Sequence, residues 1–103
     1  MQTFKGIQTL IAAIGGLPDC GFLYITGNSD TDTPTGLQSS TFLLPDTEED
    51  ELFIEDNPDY NSWLEAPTFS DIIENHTSKH PKASEADLIR AVLHYWEKDD
   101  FLD

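Results

Sequence analysis

DTEEDELFIEDNPD, residues 46–59, decides how this chain is read. Eight of its fourteen residues are carboxylates and none is basic. Acidic runs are usually solvated, but Leu52-Phe53-Ile54 interrupts this one with three apolar residues. The sequence reading takes residues 51–55, ELFIE, as a β-strand inside an acidic surface. Such a strand would serve as a rigid frame for charge, and preorganised charge costs less ordering entropy on binding than a mobile tail does.

The neighbouring segments are read around that strand. GFLYITG, 21–27, is apolar on both alternating faces and so reads as a central strand bounded by glycines. NSDTDTPTG, 28–36, is rich in turn formers and reads as a loop. STFLLPD, 40–46, is a second strand, ended by Pro45. EDNPD, 55–59, has loop chemistry. Upstream, Phe4, Ile7, Leu10, Ile11 and Ile14 recur at helical spacing, and Gly15-Gly16 and Pro18 stop that helix. Downstream, TFSD, 68–71, matches a capping box with Thr68 as N-cap, and Phe69, Ile72, Ile73 and His76 share a face. SEAD, 84–87, is a second capping box, followed by the stripe Leu88, Ile89, Val92, Leu93 and Trp96. That last helix is expected to stop before Asp99-Asp100, since acids are disfavoured at a helix C-terminus.

Strands in succession without helices between them imply an antiparallel sheet. The expected fold is α+β: about three strands, one N-terminal helix and two C-terminal helices covering one face. At 103 residues the chain has room for one domain, 1–103.

Net charge is −15, and its placement is one-sided. Residues 6–78 hold fourteen carboxylates and no Lys or Arg. A surface of one sign makes a directional field that repels phosphates and attracts cations. Direct nucleic-acid binding is therefore excluded, and a cationic protein partner is expected. Cys20 is the lone cysteine, which fits a reducing compartment. Ile7–Leu17 is interrupted by Gln8 and Thr9 and reads as an amphipathic helix rather than a signal segment. No stretch approaches the ~20 apolar residues of a membrane span. A cytoplasmic location is expected.

Convergent catalytic chemistry is absent from the sequence. No histidine pair has HExxH spacing, and Cys20 has no CxxC partner. His76 reads as a partly buried structural histidine, and His94 as solvent-facing. His76 and His80 are four apart but lack a third ligand on their helix. Asp30-Thr31-Asp32 begins like a calcium loop, but Pro34 stands at its fifth position. Neither an enzyme nor a cofactor or resident metal is expected. Binding is expected instead, through Asp46, Glu48, Glu49, Asp50, Glu51, Glu55, Asp56 and Asp59, with Tyr60 and Trp63 as anchors.

DIIEN, 71–75, then a proline break, then ADLIRAVLHYWEKDDF, 86–101, with Tyr95-Trp96, Asp99 and Phe101, form a further pattern. This end resembles a family of small bacterial domains that close on Asp-Ile-x-x-Asn and then Ala-x-x-Tyr-Tyr-x-x-Asn-Asp-Ala-Phe. Asp100 stands where that pattern has a small residue. Such domains look like immunity proteins of polymorphic toxin systems, including contact-dependent growth inhibition. The resemblance implies a small cytoplasmic inhibitor of a cognate toxin, often a nuclease, and a structural role for the matching residues. A nuclease holds a polyanion in a cationic cleft, which an acidic surface can occupy. The rival expectations are a nucleic-acid mimic directed at a DNA-binding protein, or an adaptor whose acidity is incidental.

Overall fold

A computed structural model describes residues 1–102. Four strands form one antiparallel sheet: β1 (Gln2–Lys5), β2 (Phe22–Thr26), β3 (Thr41–Leu44) and β4 (Tyr60–Glu65), in the order β1-β3-β2-β4. Five α-helices accompany them: α1 (Ile7–Ala12), α2 (Pro34–Ser39), α3 (Glu48–Glu55), α4 (Ala66–Lys79) and α5 (Glu85–Lys98). The α+β class holds, with one more strand and two more helices than the sequence reading expected.

The central correction falls on residues 51–55, which are helical, not a strand. Thr47 is the N-cap, its hydroxyl accepting from the Asp50 amide at 3.2 Å. Glu48, Glu49, Asp50 and Glu51 fill the first turn, where the helix dipole favours negative charge. Local capping therefore outweighs the strand preference of three apolar residues.

β1 was hidden inside the helical period of the N-terminal segment. Phe4 belongs to this edge strand, opposite Phe42, and Gly6 turns the chain into α1. Gly6 has φ +87, and a Cβ there would lie 2.7 Å from the Gln38 carbonyl. Its own amide donates to the Ser40 carbonyl at 2.7 Å. Only a residue without a side chain suits both demands. Residues 28–33 are loop as expected, but 34–36 open α2. Asp30 accepts from the Asp32 amide at 2.9 Å and the Thr33 hydroxyl at 2.8 Å, and Thr33 caps α2. The calcium-like Asp30-Thr31-Asp32 is thus a turn leading into a helix.

β4 takes the place of the missing third strand. Its pairing with β2 is bulged: Phe22 opposes Glu65, but Tyr24 opposes Ser62. The extra residue lets consecutive side chains, Trp63 and Leu64, both enter the core. Trp63 meets the rings of Phe42, Phe69 and Trp96 at centroid distances of 4.8, 5.9 and 6.2 Å.

The main core lies between one sheet face and helices α1, α2, α4 and α5. Its fully enclosed members include Phe42, Phe69, Ile7, Leu10 and Leu23. α4 starts earlier than the expected Thr68 cap: Glu65 is the N-cap and Pro67 sits in the first turn, where a missing N–H costs nothing. The second capping box forms as read, with Ser84 and Asp87 exchanging bonds of 3.2 and 3.0 Å. Asp99 ends α5 in the left-handed region at φ 57. Just beyond it Phe101 folds back on Tyr95, ring centroids 5.3 Å apart.

Candidate acidic interface

The opposite sheet face carries Leu43 and Tyr24, which are register partners. α3 lies over this face. Its Ile54 is 2% exposed, and Ile54 and Leu43 are buried outside the main core. Burial, together with the carboxylates of Glu51 and Glu55, pushes the Tyr24 hydroxyl above its usual value. Phe53 leans on Tyr60, centroids 6.1 Å apart.

Helical spacing sorts the residues of α3 by face. Asp50 and Ile54, four apart, point inward. The Asp50 carboxylate accepts from the Asp46 amide at 3.1 Å and meets the Met1 ammonium at 3.0 Å. Asp46 adds a second pair to the ammonium at 3.2 Å and accepts from the Gln2 side chain at 3.2 Å. Both contacts hold the Asp50 carboxyl below its usual range, the ammonium first and the Asp46 amide second. Asp46 and Asp50 therefore fasten the start of α3 to the first residues of the chain.

The outward face has a different composition. Leu52 is 57% exposed. Glu48 and Glu49 stand one turn before it and Glu55 and Asp56 one turn after, the positions that neighbour it on a helix surface. The result is an apolar knob ringed by four carboxylates, with exposed Phe53 beside it. No Lys or Arg lies in α3.

The candidate residues thus divide. Glu48, Glu49, Glu51, Glu55 and Asp56 gather around Leu52 and Phe53 on one helix. Asp46 and Asp50 lie at its start and are engaged internally. Asp59 is exposed in the turn before β4, and its backbone carbonyl accepts from the Gly27 amide. Tyr60 is half-buried at the edge of the same patch. Trp63 is not an anchor: at 5% exposure it belongs to the core, because the β4 bulge turns it inward. Leu52 and Phe53 were absent from the expected site. A strand reading hides them, whereas helical spacing from the Thr47 cap exposes them.

Elsewhere, His76 is buried, as expected, and His94 is half-buried rather than solvent-facing. Among the described residues no helix is long and apolar enough to cross a membrane.

Comparison with known proteins places residues 7–103 within a family described as Domain of unknown function (DUF7716). No curated protein and no solved structure matches the chain. The chain belongs to the DUF7716 family.

Proposed function

We propose that this DUF7716 domain is a non-catalytic inhibitor that docks on a basic protein, with the outward face of α3 as its contact surface. The reading rests on one observation: Leu52 is exposed at the centre of four carboxylates. Protein interfaces have this general arrangement, an apolar centre within a polar rim whose charges set register. The placement of charge adds support. Glu55 and Asp56 lie at the C-terminal end of α3, where the helix dipole disfavours them. Fold stability does not explain carboxylates there; an external cation does.

The partner class follows from the charge and from the resemblance of the C-terminal third to toxin immunity proteins. We propose a cognate toxin domain, a nuclease and in the first instance a ribonuclease. Its substrate cleft must be cationic to hold a polyanion. α3 would present carboxylates on a rigid helix in place of phosphates. Clustering on a single short helix argues against a mimic of duplex DNA, whose charges are spaced along an extended axis.

The test pairs this protein with the C-terminal domain of the protein encoded immediately upstream, and follows total RNA and DNA. Degradation should stop when this protein is added stoichiometrically. It should continue with Leu52→Ser, and with Glu48, Glu49, Glu55 and Asp56 all changed to Lys. Degradation unaffected by the wild-type protein, or protection retained by both variants, refutes the proposal.

A further inference from the structure

The chain has five Lys and Arg, and four of them fall in residues 79–98. Three of those four, Lys79, Lys82 and Arg90, line one open groove of about 590 Å³ where α4 ends and α5 begins. His76 and His80 line it too, and Asp87 is its carboxylate. An acidic protein has thus gathered three of its five Lys and Arg around a single concavity.

Part of this placement has a local cause. Cations are favoured in the last turn of a helix, which accounts for His76 and Lys79 at the end of α4. Arg90 also pairs with Asp87 at 3.2 Å. Neither point explains the buried ring. His76 is 5% exposed, and its Nδ1 has no hydrogen-bond partner among the described residues. A buried polar atom left without a partner carries a desolvation cost. The His80 ring stands beside it, centroids 4.6 Å apart. A buried histidine with an unpartnered Nδ1 therefore lines the same groove as the positive charge.

The walls narrow the ligand further. Pro81, Ala83 and Leu102 give the groove an apolar side. Its volume falls in the range of pockets for small organic molecules, roughly 300–1,000 Å³, and far exceeds one inorganic anion. We infer that the α4–α5 groove binds a small organic oxyanion, a phosphate or carboxylate carried on an apolar body. Lys82, Arg90 and His80 hold the oxyanion, the buried His76 ring stands beside His80, and Pro81, Ala83 and Leu102 hold the body. Asp87 opposes an incoming anion, and its engagement with Arg90 and the Ser84 amide reduces that opposition. No residue of α3 takes part, so this site stands or falls separately from the acidic interface.

The experiment is a titration of the full chain with phenyl phosphate, benzoate and inorganic phosphate, ionic strength held constant with sodium chloride. The histidine ring resonances are followed by NMR. Phenyl phosphate or benzoate should shift His76 and His80 saturably and leave His94 in place. Inorganic phosphate should bind at least about tenfold more weakly for want of the apolar contact. The double variant Lys82→Ser/Arg90→Gln, at exposed positions, should weaken binding about tenfold or more while keeping the spectrum of a folded chain. No saturable shift by about 20 mM, equal affinity for inorganic phosphate, or unchanged binding by the variant overturns the inference. These expected changes correspond to the loss of charge-assisted hydrogen bonds and of buried apolar contact.

Discussion

Replacing Ile54 and Leu52 separately by alanine distinguishes a helix from a strand at the segment on which the fold turns. In a strand, residues 52 and 54 point to the same face and would respond alike. In α3 they differ, since Ile54 is 2% and Leu52 57% exposed. Ile54→Ala removes three buried carbons. At about 0.8 kcal/mol each the transfer loss is about 2.4 kcal/mol, and an incompletely collapsed cavity raises it towards 3. Leu52→Ala loses less than half as much contact, so about 1 kcal/mol at most, with helix propensity slightly in its favour. The expected difference is about 2 kcal/mol, or roughly 10 °C in Tm for a domain of this size. Urea unfolding followed by tryptophan fluorescence reads it, because buried Trp63 reports on the core. Amide exchange across residues 50–55 shows whether loss of Ile54 loosens α3 before the sheet opens. Equal destabilisation by the two variants would refute the helical packing.

Gly6→Ala should cost about 2 kcal/mol in thermal or urea unfolding, since φ +87 and the Gln38 carbonyl both oppose a Cβ; a neutral result would contradict the Gly6 geometry. Glu51→Gln/Glu55→Gln should lower the ionisation pH of Tyr24 in an ultraviolet phenolate titration, because both carboxylates raise it. The sign for Asp50 and Asp87 runs the other way: contacts hold both carboxyls low in the folded chain. The stability they contribute is complete above the unfolded carboxylate range and declines as pH falls through their folded values. Asp87→Asn should therefore flatten the acid limb of a stability profile. Finally, Tm should rise with sodium chloride up to about 0.5 M as salt screens the repulsion of a −15 chain; a flat or falling Tm would mean that repulsion does not limit stability.

Legibility in the sequence followed the kind of signal each element carries. α5 announced itself twice, by the Ser84–Asp87 capping box and by its apolar stripe. β2 and β3 were plain from apolar runs between turn residues. α3 was misread because its helix signal is polar. Thr47 and four acids specify it, while the apolar residues number only three. β1 was absorbed into a helical period that Phe4 happened to satisfy. β4 was missed because a bulge destroys the alternation that marks a strand, and the same bulge took Trp63 out of the expected interface. α2 was legible in principle: Thr33 followed by Pro34 is an N-cap and a first-turn proline. For the interface, the carboxylates were readable as charge. Their ring around Leu52 was not, because a helix and a strand draw different neighbours from the same letters.

The order β1-β3-β2-β4 leaves no two strands joined by a tight hairpin. β1 must find β3, β2 must find β4, and even β2 and β3 are separated by the chain that forms α2. Loop closure therefore precedes every ladder, which puts folding nearer the millisecond range than the microseconds of helical bundles. On the ribosome the delay is longer. β2, apolar on both faces, emerges before either neighbour exists. At roughly 5–20 residues per second its second partner arrives ~2–8 seconds later. During that interval repulsion among nascent chains of one charge sign keeps such strands apart.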